Sequence, residues 1–96
     1  MEDGKHVLCL MKDNDGQVLL HADGAGLDIL ITSLQNLRSK IDKNQCDHDH
    51  LFTESWGGTQ LTETTQIDKK YDICHHFKIN GWTDEWAIKH SFKKEK

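Results

Sequence analysis

Ninety-six residues, 35% hydrophobic and 29% charged with a formal net charge of −4, give material for one core and too little for a second. That balance excludes a disordered chain, and no apolar run approaches the roughly 20 residues that cross a bilayer. The acids are concentrated: between 42 and 68 six stand against a single base, a sign that repels phosphate backbones and attracts a basic protein partner.

The first residues, MEDGKH, lack the basic start and apolar centre of a secretory signal, which points to the cytoplasm. Three cysteines, Cys9, Cys46 and Cys74, are an odd number in a chain with enough Leu and Ile to do without staples, and are read as reduced thiols.

The apolar runs HVLCLM (6–11) and QVLLHA (17–22) flank KDNDG, whose Asp-Gly pair predicts a β-hairpin. From Leu27 the period changes. Leu27, Leu30, Ile31, Leu34, Leu37 and Ile41 form one stripe of a helix spanning about 25 to 43, with Asp23 as N-cap, Asp28 near the positive end of its dipole, and Arg38, Lys40 and Lys43 at the other end. If all six aliphatic side chains are buried, the helix supplies on the order of 10 kcal/mol of gross stabilisation. Gly24-Ala25-Gly26 is too short for a nucleotide-binding loop and is flanked by acids, so it reads as the turn from strand to helix.

Beyond the helix, CDHDHLF (46–52) reads best as a loop tied by Asx hydrogen bonds. TQLTETT (59–65) has the threonine content of an exposed strand, and YDICHHFKI (71–79) alternates as a strand should. Asn80-Gly81 predicts a hairpin turn leading to a last strand over 83–92, although Thr83-Asp84-Glu85 also fits the cap of a short helix. The expected fold is α+β and two-layered: one antiparallel sheet of four to five strands, order ββαββ(β), with one long helix packed on one face. Residues 1–92 form a single domain and 93–96 a charged tail.

Cys46, His48 and His50 are competent zinc ligands, yet their spacing is not that of the common structural sites, and i, i+2 ligands share a face only in a strand. A metal-binding module on these three residues is therefore the alternative reading; otherwise no metal and no cofactor is expected. A thiol enzyme would need Cys46 or Cys74 beside His48, His75 or His76, but neither cysteine carries a nucleophile turn or an oxyanion-hole sequence, so no catalytic residue is assigned. Trp56, among carboxylates, is either an interface anchor or a side chain folded over the helix end.

With those residues in place, the helix followed by HDHLF, then WGG and TQLTE, and a strand ending in KING-W, resembles the small immunity proteins of bacterial polymorphic-toxin systems, in particular the family numbered 32. The similarity spans roughly residues 27 to 82 and rests on short motifs, with His48, His50, Leu51, Gly57 and Gly58 as family-like positions. It implies a cytoplasmic, non-enzymatic inhibitor that binds a cognate toxin effector domain in interbacterial competition. Cys46 and the His75-His76 pair have no counterpart in the motif. The partner-binding residues expected on this basis are Asp47, His48, Asp49, His50, Glu54, Trp56 and Glu63, acting as an acidic surface on a monomer or weak dimer with no nucleic acid or membrane partner.

Overall fold

The KDNDG corner folds as its composition requires. Asp13 Oδ1 accepts the amides of Asp15 at 3.0 Å and Gln17 at 2.9 Å, and Gly16 takes φ +92°, a conformation that side chains resist. In the computed structural model, which describes residues 6–63 and 71–94, β1 (Leu8–Lys12) and β2 (Val18–Ala22) accordingly pair antiparallel, Leu8 opposite Ala22 and Lys12 opposite Val18.

Helix α1 runs from Gly24 to Asp42 behind the predicted N-cap. Asp23 Oδ1 accepts from the Gly26 amide at 2.8 Å and also from the Val7 amide at 2.9 Å, while the Asp23 amide donates to Val7 O at 3.1 Å. One carboxylate therefore caps the helix and fastens it to the chain entering β1. These donors hold the Asp23 carboxyl below the usual carboxylate range, the Val7 amide foremost.

The helix buries a different face from the one its stripe predicts. Leu37 is buried, but so are Gly26 and Ser33, whereas Leu27, Ile31 and Leu34 stay 44–46% exposed. Backbone proximity and hydrogen bonding, not aliphatic content, orient it: Gly26 lies against Val7, and Ser33 donates to Asp49. Three of the six aliphatic side chains thus give only part of the stabilisation expected of them.

The single sheet predicted from sequence is two sheets. Strand β3 (Asp47–Phe52) replaces the expected loop, and the 71–79 run is broken into β4 (Asp72–Ile73) and β5 (His76–Gly81). Strand β4 pairs with β1, giving the order β2-β1-β4, while β5 pairs antiparallel with β3. The break falls at Cys74-His75: the Cys74 amide donates to Leu10 O at 2.7 Å on one side, and His75 O accepts the Thr53 amide at 3.0 Å on the other. Two strand registers thus compete for one run, and the chain serves each in turn.

Three further expectations are corrected. Within 59–65, Leu61 makes only an isolated parallel bridge to Thr53, and Thr64 and Thr65 lie outside the described residues. Asn80-Gly81 does not turn: it completes β5, with Gly81 opposite Asp47 and buried. The last segment is helix α2 (Asp84–Lys89), capped by Thr83 Oγ1 on the Trp86 amide at 3.1 Å, with Asp84 and Glu85 in its first turn. Capping chemistry outweighs the alternation that favoured a strand. Lys93, assigned to the tail, reaches back to Asp84 at 2.6 Å.

The core is Leu8, Leu51 and Leu61, supported by Ala22, Ile29, Leu30, Phe77 and Ile79. It draws on α1 and on both sheets, and so holds the two sheets against one helix. Among the described residues no helix is long and apolar enough to cross a membrane.

Candidate functional site

Strand β3 has a period of two, and each of its faces does a different job. Asp47, Asp49 and Leu51 face α1: Asp47 pairs with Lys40 at 3.0 Å, Asp49 accepts from Ser33, and Leu51 enters the core. The hydrogen bond from Lys40 holds the Asp47 carboxyl below its usual range.

His48, His50 and Phe52 face outward, opposite Asn80, Lys78 and His76 of β5. Their rings form a ladder. His48 meets His50 edge-on at 4.9 Å, His76 stacks on His50 at 5.0 Å and on Phe52 at 4.4 Å, and His50 Nδ1 lies 2.8 Å from His76 Nε2. Desolvation, followed by the nearby charges of His48, His76 and Lys78, lowers the pKa of His50 from its ordinary 6.5.

A depressed folded-state value means that the unfolded chain takes up this proton first as pH falls. The stability His50 contributes is therefore present above pH 6.5 and is lost between 6.5 and the lower folded value. The melting temperature should decline across that window, and His50→Gln should flatten the decline. A slope that His50→Gln leaves untouched would sink this assignment. The carboxylates with lowered values titrate separately, below pH 4.5 for Glu63 and below 3.8 for Asp47.

Past Phe52 the chain makes a 3₁₀ turn, Glu54–Trp56. The fully buried Thr53 anchors it: its carbonyl accepts the Trp56 and Gly58 amides at 3.0 and 2.9 Å, and its hydroxyl lies 2.8 Å from His75 Nδ1. The His75 ring in turn lies parallel to Trp56, with centroids 5.5 Å apart, and 58% of Trp56 remains exposed. Glu63 closes the loop from behind. It accepts the Ser55 hydroxyl and amide and stands 3.5 Å from His75 Nδ1, and the Ser55 hydroxyl keeps its carboxyl below the usual range.

Of the seven residues singled out in the sequence, His48, His50, Glu54 and Trp56 lie on or beside this outer surface, while Asp47, Asp49 and Glu63 are engaged by Lys40, Ser33 and Ser55. His76, read only as a possible base, and Phe52 were not assigned to this surface, although period-two alternation in two adjacent strands could have placed them there. The Thr53, Ser55 and His75 contacts depend on the sheet break and left no sequence signal. Cys46 bonds instead at the start of α2, where its Sγ accepts the Thr83 amide at 3.5 Å. Among the described residues no group of three or more His, Cys, Asp or Glu is placed to hold a metal ion. The three cysteines form no disulfide.

These features define a small α+β domain whose most elaborated region is an exposed surface of imidazole and aromatic rings. Compared with known families, residues 17–70 match the family described as Immunity protein 32, which covers more than half of the chain, and the chain belongs to that family. No curated protein and no solved structure matches it.

Proposed function

We propose that this chain neutralises a cognate bacterial toxin domain by binding it in the cytoplasm, without catalysis, through the outer surface of β3 and the 3₁₀ turn that follows. Family membership over residues 17–70 is the observation that carries the reading. Trp56 is the anchor: a flat, half-exposed aromatic held from behind by His75 fits the chemistry of an interface hot spot, because it arrives with little conformational freedom left to lose. Glu54, His48 and His50 surround it. Asp47, Asp49 and Glu63 contribute to the acidic field that draws in a basic cleft and hold the surface in shape.

The test pairs this chain with a candidate toxin domain taken from a reading frame adjoining its gene. Cells making that domain should survive only when this chain is co-expressed, and the purified pair should associate more slowly as salt rises. Trp56→Ala should weaken binding at least about 30-fold, the equivalent of a 2 kcal/mol hot spot, with the melting temperature nearly unchanged. Survival and affinity that are indifferent to Trp56→Ala would move the interface elsewhere, and no protection by the unaltered chain would remove the function itself.

A further inference from the structure

The strip that α1 leaves uncovered is long and regular. Leu27, Ile31 and Leu34 follow one another at i, i+4 and i+7, each nearly half exposed, and Arg38 and Ile41 continue the same line. Beside its C-terminal half lies an open hollow of about 480 Å³ between α1 and the end of β5, bordered by Leu34, Leu37, Ile41, Ile79 and Gly81. Nothing in the proposed toxin surface uses this region, because the outer face of β3 points away from α1.

We propose that this strip is the seat of a second copy of the chain, with the two α1 helices packed antiparallel about a two-fold axis. The pattern suits its own reverse. Crossing the helices midway between Ile31 and Leu34 puts Ile31 of one copy on Leu34 of the other, and brings Leu27 level with Arg38, over the hollow. The charges also fit: Asp28 lies near the start of the strip, and near its end Arg38, which pairs with Asp42 of its own chain at 2.7 Å, stays 67% exposed, so the same antiparallel register brings each Arg38 within reach of Asp28 of the other copy. A parallel arrangement would instead stack like charges and align the two helix dipoles unfavourably. The strip extends over 15 residues, about 22 Å of helix, so the contact is one short helix pair rather than the broad patch of a standard stable interface. The dimer is accordingly weak and depends on concentration.

Sedimentation velocity of the full chain from about 1 to 500 µM, a range bracketing the affinity of a small interface, tests the proposal. The mass should rise from 11.1 kDa toward twice that value. The pair Ile31→Glu with Leu34→Glu should hold it at one chain throughout, with the melting temperature in dilute solution little changed, since both side chains are already half in water. Arg38→Asp should weaken association by opposing Asp28 of the other copy, and adding Asp28→Arg should restore it. A chain that stays single at the highest concentration overturns the proposal, as does association that ignores the glutamates or is not rescued by the double reversal. If the glutamates abolish toxin binding while self-association persists, the strip belongs to the toxin and the proposal also fails.

Discussion

Replacing Gly26 with alanine should lower the melting temperature by more than about 10 °C, while the same replacement at Gly24 should raise it slightly. Both glycines sit in the first turn of α1, where alanine is ordinarily better by roughly 0.5–1 kcal/mol. Around Gly24 there is nothing within 4 Å of a new methyl group, so that gain is realised. At Gly26 the methyl carbon would lie 1.7 Å from Val7 O and 3.2 Å from Asp23 Oδ1. The obstacle is backbone, and it is the same Val7 peptide that exchanges hydrogen bonds with Asp23. The helix must therefore withdraw from β1 or lose its cap. Overpacking typically costs about 1–3 kcal/mol and occasionally more; a methyl driven against backbone at 1.7 Å falls at the upper end, and in a domain of this size each kcal/mol is worth roughly 4–8 °C. Thermal unfolding of the two variants side by side decides it. Similar melting temperatures would mean that the helix start and β1 are not in contact.

Leu51→Ala should cost about 2–5 kcal/mol, the range for emptying a leucine site in a packed core. Leu51 is 3% exposed and clusters with Leu8 of β1 and with Leu61, so its side chain is the point at which sheet β3-β5 meets the other sheet. Leu51→Met keeps the volume and should cost less than about 1.5 kcal/mol. Denaturant midpoints for both variants test this. A loss under about 1 kcal/mol for alanine would show that the sheets are joined by something other than this contact.

What the sequence revealed was local. The Asp-Gly corner, the Asp23 cap and the extent of α1 follow from short-range chemistry and are found as expected. The face that α1 buries was not legible, because it is set by Val7 against Gly26 and by Asp49 against Ser33, contacts between segments far apart in the chain. The split of 71–79 was hidden for a related reason: alternation persists through Cys74-His75, and only the positions of β1 and β3 reveal that the run changes partners there. Thr83-Asp84-Glu85 did carry the signal for α2, and the alternating apolar positions beyond it outweighed that signal wrongly. The candidate surface was half legible. HDH drew attention to His48 and His50, and the motif included Trp56, whereas the aspartates that made the segment look acidic turn toward Lys40 and Ser33.

The alternation of β3 also divides its positions by how freely they can change. Odd-numbered residues are fixed by what they brace, so a substitution at Asp47, Asp49 or Leu51 disturbs the scaffold. Even-numbered residues touch one another's rings and that of His76 on β5 at the surface, so exchanging His48 or His50 alters what the strand displays more than how it is held. One strand thus carries a changeable outward script and a fixed inward one, written on alternate residues.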